Sequence, residues 1–356
     1  RLVKEALKER QWWIAQKPTM KLPLPQGEGW GEGEIQLATP IKLYIPIYQN
    51  NRRPAWIYKL GLWLYDRLAG KQNIGQHQSL TQQQIHQVCP ELKTENLVKG
   101  FSYYDGQMDD HQLGLWALEQ AKKRPGLVIK EHTEVTKVDI KGNLAFADGT
   151  TQTFDKIINI AGPWAEQLLK QSNIKPNYTL DLVRGSHILV NAPSPLMGIE
   201  ETPKAVEGWG EGEKLAQHGY FLETPNERRI FFVLPYQGKT LIGTTEQRQT
   251  LNDNITPSEQ EIDYLINAYN HYFKTPITKQ NIVQSFAGLR PLIKSADNPN
   301  KATREYTIQQ NQNLITVFGG KWTTARKLAK KITKHVRANP CSSVANKQPG
   351  QVKRTL

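Results

Sequence analysis

Short β-branched segments constrain the fold of this chain more than any other feature of its sequence. They are rich in Val, Ile and Thr, which suit the pleated surface of a sheet, and they stand at 127–130, 134–140, 156–161, 186–190, 229–234 and 240–244. Two further strands are predicted at 282–287 and 313–318. Helical patterns precede, separate and follow these segments, so the sequence predicts a mixed α/β (α+β) protein.

The predicted helices cover 1–20, 54–70, 110–123, 257–273 and 322–337. In the second of them, the residues that recur at helical spacing are Trp56, Leu60, Trp63, Leu64 and Leu68. Such a stripe can pack into the core, or it can contact a membrane surface, and the sequence leaves both interpretations open. Pro257 is expected in the first turn of the fourth helix.

The formal net charge of +13 is concentrated at the carboxyl end of the 356-residue chain. Residues 321–356 contain ten Lys or Arg and no Asp or Glu. A basic tail of this kind can bind an anionic membrane surface or nucleic acid, or it can be a solvated helix face followed by a frayed end. Because no nucleic-acid-binding motif accompanies the charge, we expect no nucleic-acid partner.

Apolar runs and cysteines narrow the class of protein further. No apolar run approaches the ~20 residues that a membrane-spanning helix needs. Cys89 and Cys341 lie far apart, which excludes a disulfide scaffold and a cysteine-rich metal site. This usage suits a reducing compartment, and we expect a cytoplasmic location.

One seven-residue sequence, EGWGEGE, occurs twice, at 28–34 and at 207–213. Both copies are rich in Gly and lack apolar periodicity, so we interpret them as inserted elements in surface loops, at 22–35 and near 200–214. A phosphate-binding loop is the alternative. It is disfavoured because neither copy follows a strand and opens a helix, and because the three glutamates of each copy would repel phosphate.

The segment most informative about chemistry is 317–326, VFGGKWTTAR. A predicted strand ends at Gly319 and Gly320, and a helix follows with two threonines in its first turn. Glycines let the backbone approach a planar ligand, and a helix start presents free N–H groups with a partial positive charge. With Lys321 beside it, this arrangement would stabilise the negative charge of a reduced flavin. An ordinary strand-to-helix turn is the alternative interpretation.

A second turn of this kind follows the predicted strand at 156–161. In residues 157–165, IINIAGPWA, a buried strand ends at small residues before a helix. Small residues would let the backbone pack against a cofactor. A purely structural βα turn is again the alternative.

Three further side chains are candidates for binding or converting a substrate. Arg290 follows a strand-like run, and Arg304 lies in the segment ATREY at 302–306. Guanidinium groups bind phosphate or carboxylate in bidentate fashion, although a single arginine is more often part of a surface ion pair. His187 enters a predicted strand, where most histidines are core residues. The ordinary pKa of histidine nevertheless suits it to accept an alcohol proton near neutral pH.

Together and in this order, these segments resemble the FAD-dependent glycerol-3-phosphate dehydrogenase family. The resemblance covers nearly the whole chain outside the two insertions and the residues beyond 337. The matching segments are RLVKEA (1–6), RPAW (53–56), YDR (65–67), YYDGQMDD (103–110), GSH (185–187), LIGTT (241–245), GLRPL (288–292), TREY (303–306) and FGGK (318–321).

The resemblance implies an incomplete FAD-binding Rossmann-like domain and an antiparallel-sheet substrate domain. It implies oxidation of sn-glycerol 3-phosphate to dihydroxyacetone phosphate, with electrons passed through FAD to quinone. It also implies a peripheral contact with the inner face of the cytoplasmic membrane.

The same resemblance assigns roles to residues of this chain. Arg290 and Arg304 would hold the substrate phosphate, and Lys321 would lie by both flavin and substrate. His187 is the candidate base for the C2 hydroxyl, so that the catalytic set is His187, Lys321 and Arg290. Thr244 and Thr245 would lie near these groups or support them. The residues implied to line the FAD are Ala161, Gly162, Trp164, Gly319, Gly320, Lys321, Thr323 and Thr324.

The sequence departs from the family in a way that bears on activity. Family members begin with a βαβ unit whose G-x-G-x-x-G segment holds the FAD diphosphate at a helix N-terminus, and no such segment occurs here. We therefore interpret the chain as an N-terminally and C-terminally truncated member that binds FAD poorly and is impaired or inactive alone. The expected organisation is an FAD-domain remnant (1–100, 101–182 and 282–337), a substrate domain (183–281) and a disordered basic tail (338–356).

Two rival functions stay open at the sequence level. The first is another flavin-dependent hydroxy-acid or amine oxidase, because a shared fold does not fix the substrate. The paired Arg290 and Arg304 favour a dianionic substrate over a zwitterionic amino acid. The second is an inactive remnant that binds a partner through its basic tail.

Overall fold

The computed structural model describes residues 2–16, 19–23, 30–34, 37–191, 218–225, 227, 229–294 and 305–338. The chain divides into two compact units. The first comprises Arg1–Leu127, Arg184–Gln247 and Asn254–Gly288, and the second comprises Val128–Val183, Arg248–Asp253 and Leu289–Leu356.

Helices and strands alternate along the chain. The helices are α1 (Leu2–Ile14), α2 (Ala55–Ala69), α3 (Gln82–Val88), α4 (Asp110–Lys122), α5 (Ala165–Gln171), α6 (Glu259–Tyr272) and α7 (Ala325–Ala338). The strands are β1 (Thr19–Pro23), β2 (Trp30–Glu34), β3 (Thr39–Tyr48), β4 (Gln78–Thr81), β5 (Leu97–Gln107), β6 (Val135–Val138), β7 (Asn143–Phe146), β8 (Thr151–Thr153), β9 (Ile157–Asn159), β10 (Leu180–Val190), β11 (His218–Glu223), β12 (Ile230–Tyr236), β13 (Lys239–Gly243), β14 (Gln247–Arg248), β15 (Ile282–Ile293), β16 (Tyr306–Asn311) and β17 (Leu314–Gly319).

A large, mostly antiparallel sheet forms the first unit. Its strand order is β14-β10-β13-β12-β11-β3-β5-β4, and β15 pairs with β10. The β11–β3 pair is parallel. The division of the chain into units falls within the residue ranges of β10 and β15.

Helices cover both faces of this sheet, which explains why β3 is buried along most of its length. On one face, α6 contributes Leu265 and Tyr269 to a cluster with Tyr44 and Phe231. On the other face, α2 contributes Tyr58 and Leu62 to a second cluster. In the part of the chain that the structure describes, no helix is both long and apolar enough to cross a bilayer.

The second unit contains two small sheets. One has the order β16-β17-β9, with β17 and β9 parallel, and the other is the antiparallel β6-β7-β8. Helices α5 and α7 follow β9 and β17, respectively. The core joins Leu169 of α5 to Leu314 and Phe318 of β17, all completely buried, and to Ile293 at the end of β15.

The predicted mixed α/β class is confirmed, but several boundaries are wrong. The predicted helix 1–20 ends at Ile14, four residues before Pro18. Residues 127–130 form no strand, and Val128 is 76% exposed, because β-branched residues favour a strand only where a neighbour and apolar surface are present. Helix α6 begins after Ser258, which forms a capping box with Glu261, so Pro257 precedes the cap.

Strand β3 is also absent from the predicted strands, because its Pro40 and Pro46 argue against an inner strand. The structure tolerates both because β11 pairs only with residues 42–44 of β3. The two prolines lie outside that stretch, where their missing N–H groups leave no gap in the β3–β11 ladder.

The first Gly-rich copy is not the loop that the sequence predicts. Its residues Trp30–Glu34 form β2, which pairs with β1 in antiparallel register. Backbone pairing needs no apolar periodicity, which is why the pattern gave no signal. The second copy, at 207–213, lies outside the described residues.

Candidate functional site

The two predicted cofactor turns lie side by side in the second unit. Strands β9 and β17 are parallel neighbours, with Ile157, Ile158 and Asn159 opposite Leu314, Ile315 and Thr316. The carboxyl ends of parallel neighbours meet at one edge of the sheet, so the turn after β9 and the turn after β17 share that edge. In open α/β sheets this edge is where ligands bind.

The turn after β9 is fixed from within by Asn159. Its buried side chain donates to the Ala165 carbonyl at 3.0 Å and accepts from the Ala161 N–H at 3.2 Å. Gly162 has φ of +55°, and a Cβ there would meet no atom within 4 Å. Trp164 is 49% exposed. The turn therefore presents a rigid, open backbone surface flanked by an indole ring.

The turn after β17 needs its two glycines. Gly319 has φ of +70°, and a Cβ there would lie 2.5 Å from the Glu305 carbonyl oxygen. Gly320 has φ of +103°, which also favours glycine. Exposed Lys321 then leads into a short 3-10 turn, Trp322–Thr324, and α7. The Thr324 N–H donates to the Lys321 carbonyl at 3.1 Å.

This shared edge fits the flavin that the sequence predicts. The open space over Gly162 and the glycine backbone at 319–320 leave room for a flat ring. In both 3-10 turns the N-cap residue makes no side-chain capping hydrogen bond, and an exposed lysine adds positive charge. Such an edge would stabilise an anionic ring. All eight predicted FAD-lining residues belong to these two turns.

The structure describes one of the two arginines predicted to bind phosphate. Arg290 lies on β15, in the part that belongs to the second unit with Lys321. Its side chain is half-buried, and its Nη1 atom is shielded from solvent. Arg304 lies outside the described residues.

His187 lies in the first unit, on β10 opposite Gly243 of β13. Its half-buried ring stacks on Phe286, with the ring centroids 5.2 Å apart and the planes 14° from parallel. A Cβ at Gly243 would lie 2.1 Å from the His187 ring. Gly243 therefore makes room for the imidazole, and Phe286 supports its face.

A carboxylate on α6 ties together the segments next to His187. Glu261 accepts hydrogen bonds from Arg184 Nη2 (2.7 Å), Ser186 Oγ (2.9 Å) and Thr245 Oγ1 (2.6 Å). It also accepts from the backbone N–H of Ser258 at 3.0 Å. Burial alone would raise the pKa of Glu261, but the hydrogen bonds from Thr245, Ser258, Ser186 and Arg184 lower it to about 2.

Sequence reasoning missed Asn159, Gly243, Phe286 and Glu261. The S-x-x-E spacing of Ser258 and Glu261 does announce a capping box. Nothing in the sequence indicates that the same carboxylate binds β10 and Thr245, the second residue after β13, because those contacts join positions 16 to 77 residues apart.

Residues 1–334 match the family described as FAD dependent oxidoreductase. Among curated relatives, D-erythritol 1-phosphate dehydrogenase from Brucella abortus is 31% identical over 348 residues, which cover 93% of this chain and 61% of that protein. Glycerol-3-phosphate dehydrogenase from Pseudomonas aeruginosa is 31% identical over 345 residues, covering 92% and 59%. The chain thus spans about 60% of the length of these relatives.

Solved structures show the same fold. Glycerol-3-phosphate dehydrogenase from Bacillus halodurans, complexed with FAD, matches with a TM-score of 0.62 and 24% identity over 87% of this chain and 54% of that chain. L-alpha-glycerophosphate oxidase from Mycoplasma pneumoniae, with FAD bound, matches with a TM-score of 0.65 and 17% identity over 94% and 79%. Glycine oxidase from Geobacillus kaustophilus matches with a TM-score of 0.61 and 18% identity over 96% and 79%. At these identities the likeness establishes the fold alone.

Proposed function

Because this chain belongs to the family of FAD-dependent oxidoreductases, we propose that it contributes to the oxidation of sn-glycerol 3-phosphate to dihydroxyacetone phosphate. The observation that carries the proposal is the shared edge of β9 and β17, where two strand-to-helix turns meet. FAD, when bound, supplies the two-electron acceptor for the hydride that leaves C2 of the substrate.

The two turns would hold the isoalloxazine ring. Backbone at Ala161, Gly162, Gly319 and Gly320 offers close approach without a side chain in the way. The remaining contacts would come from Trp164, Lys321, Thr323 and Thr324. Lys321 would offset the negative charge that the ring gains on reduction.

Arg290 and Arg304 would bind the substrate phosphate, and Lys321 would lie by both flavin and substrate. A dianionic phosphate is matched by guanidinium groups, which bind it through two parallel hydrogen bonds. The names of both relatives above carry a phosphorylated polyol, which supports a phosphate over the carboxylate of an amino acid.

His187 would accept the proton of the C2 hydroxyl. Oxidation of a secondary alcohol removes one proton from oxygen and one hydride from carbon, so a base is needed at the oxygen. Gly243 and Phe286 restrict the orientation of the His187 ring, which supports a fixed position for the proton acceptor.

Helix α2 is the part of the first unit that would meet a membrane, where quinone would accept the electrons. Its apolar stripe is not core: Trp56 is 64% exposed, Leu60 55% and Trp63 51%. Exposed Lys59 and Arg67 lie on the same helix, and Arg67 stacks its guanidinium over the Trp63 ring. Large apolar side chains among cations fit the headgroup region of an anionic bilayer.

Flavin binding by the purified chain tests the first step. Riboflavin lacks the diphosphate that a G-x-G-x-x-G unit would hold, so we expect this chain to quench riboflavin and FAD fluorescence with similar, weak affinities. Lys321→Ala should weaken both, whereas Lys59→Ala, also exposed but in the first unit, should weaken neither. A folded chain that quenches neither flavin would contradict the proposal, and tight FAD binding would contradict the expected impairment.

Substrate binding is tested separately by thermal shift. Glycerol 3-phosphate should raise the melting temperature of the chain, and glycerol should not. Arg290→Ala should abolish the shift, whereas Arg229→Ala, which removes an exposed ion pair with Glu227, should preserve it. The same thermal-shift measurement is made with D-erythritol 1-phosphate and with glycine. A shift by glycine alone would favour the amine-oxidase alternative.

A further inference from the structure

Three side chains with metal-ligating atoms meet inside the first unit. One ligand atom each from Cys89, Glu91 and His218 lies within 4.8 Å of the other two. Cys89 is completely buried, His218 is 7% exposed, and Glu91 is half-buried. We propose that Cys89, Glu91 and His218 form a binding site for a single divalent transition-metal ion, with Zn²⁺ as the best match.

The spacing of these atoms is close to what a metal requires. Tetrahedral Zn²⁺ with sulfur, nitrogen and oxygen ligands sets its ligand atoms about 3.4–3.6 Å apart. The three ligand atoms lie at most 4.8 Å apart, so each would have to move by about an ångström to reach this range, which a side-chain rotation can supply. Thiolate, imidazole and carboxylate together match the borderline-soft character of Zn²⁺, and the fourth position would be open to water.

Secondary structure holds the three ligands in place. Cys89 is the C-cap residue of α3, and its N–H donates to the Ile85 carbonyl at 2.9 Å. The Glu91 carbonyl accepts from the Lys274 N–H at 2.9 Å, which fastens this segment to the chain just after α6. His218 begins β11 and pairs with Lys42 of β3. The ligands therefore come from two segments, the C-terminal end of α3 with the residues just after it and the start of β11.

Glu91 offers a buried carboxylate oxygen to a cation. Its Oε1 atom is buried and makes no hydrogen bond to any described residue. The ammonium of the nearby Lys274 donates to the Pro90 carbonyl at 2.6 Å. A divalent cation would supply the missing positive charge.

Charge balance favours a divalent ion at this place. Coordination converts the Cys89 thiol to a thiolate, which releases one proton to solvent, and Glu91 binds as carboxylate after losing any proton it holds. One thiolate, one carboxylate and a neutral imidazole then sum with the ion to zero charge. A neutral assembly avoids the cost of burying net charge.

Aromatic rings restrict the His218 imidazole. Tyr44 and Tyr220 contact it edge-on, at centroid distances of 5.2 Å and 5.7 Å. The Tyr220 hydroxyl lies 3.3 Å from Nε2. Rings that limit rotation reduce the entropy lost when the imidazole binds an ion, as partners around a metal site commonly do.

Cysteine, histidine and glutamate could also form a nucleophilic triad. That chemistry needs a thiolate that a substrate can reach. Cys89 is 0% exposed, so an organic substrate cannot reach it without unfolding the surroundings. A metal ion is small enough to enter past the half-buried Glu91.

Cobalt titration of the tag-free, metal-stripped chain tests the site. Co²⁺ should bind with one-to-one stoichiometry and give a thiolate-to-cobalt charge-transfer band in the near ultraviolet. Zn²⁺ should displace it and raise the melting temperature. Cys89→Ser should abolish the band, and Cys341→Ser, the matched control at the other cysteine, should leave it unchanged. Affinity should rise with pH because the thiol must lose its proton.

A second variant covers the case in which Cys89→Ser disturbs folding. Glu91→Gln keeps the size of the side chain and removes its charge, and it should weaken Co²⁺ binding at least about tenfold while keeping the charge-transfer band at saturation. Absence of stoichiometric Co²⁺ binding, or a band that persists in Cys89→Ser, would overturn the proposal.

Discussion

Thr316 of β17 lies directly opposite Asn159 of β9 in parallel register, and both side chains are almost completely buried. This pairing aligns β9 with β17 so that the turns that follow the two strands lie at the same edge of the sheet. Residues about 160 positions apart in the chain therefore share one edge, and Asn159 itself is hydrogen-bonded to its turn at Ala161 and Ala165. The proposed flavin-binding surface depends on this alignment.

Replacing Gly319 should destabilise the turn after β17. In Gly319→Ala the new Cβ meets the Glu305 carbonyl at 2.5 Å and φ stays at +70°, so we expect a loss of at least about 2 kcal/mol in the free energy of unfolding. Gly288→Ala is the control, because its Cβ meets nothing within 4 Å, and it should stay within about 0.5 kcal/mol. Urea denaturation measures both. Equal effects would contradict the role assigned to the turn.

Acid should unfold the chain in part through Glu261. Its pKa falls from the ordinary 4.5 to about 2 in the folded protein, so the unfolded state binds the proton first as the pH drops. The stability that this group contributes is complete above pH 4.5 and is lost as the pH falls towards 2. Glu261→Gln should lower the free energy of unfolding by about 2–4 kcal/mol at pH 7. It should also make the free energy of unfolding less dependent on pH between about 2 and 4.5. A variant with the same acid sensitivity as the parent would refute the assignment.

In the metal-free protein, Glu91 should have the opposite effect on how stability changes with pH. Burial raises its pKa from the ordinary 4.5 to about 7, so between these values the folded state holds a proton that the unfolded state has lost. Stability should therefore fall as the pH rises from 4.5 to 7. In Glu91→Gln, measured with a chelator by denaturant titration at several pH values, this decline should disappear. A decline of the same size in the variant would place its origin elsewhere.

The exposed face of α2 should control binding to anionic vesicles. Trp56→Ala combined with Trp63→Ala removes two rings that are more than half exposed. The free energy of unfolding should therefore change by less than about 1 kcal/mol. Vesicle affinity should fall at least about tenfold because both rings would leave the lipid interface. Leu62→Ala is the contrasting control: it is 8% exposed and should cost about 2–5 kcal/mol in stability. Vesicle binding that survives in the double variant would exclude α2 as the contact.

Local patterns predicted much of this protein correctly. The helices α2 and α4 and the two βα turns lie where spacing and small residues placed them, because those signals arise within one turn or one strand. The mixed α/β class and the FAD-dependent oxidoreductase family are confirmed. The role of the aromatic stripe on α2 was undecided, since spacing reports that residues share a face and not what covers that face.

The wrong predictions concern segments whose structure depends on contacts with distant parts of the chain. Strand β3 was not predicted because it contains two prolines, which lie outside the residues that pair with β11. Residues 127–130 were predicted as a strand from their composition, but Val128 is exposed to solvent. Arg290 and Lys321 belong to one unit by the contacts of β15 and β17, while Arg304 lies outside the described residues. Their roles in phosphate binding stay predictions.

The sequence by itself determined the chemistry that this protein can offer: glycines at the ends of two strands, a lysine beside one of them, and arginines and a histidine of suitable type. Only the tertiary structure decided which of these groups meet. Parallel pairing of β9 with β17 joined the two turns, and the approach of β11 to the end of α3 brought His218 to Cys89 and Glu91. Such contacts depend on packing between distant segments, whose free energy no local pattern contains.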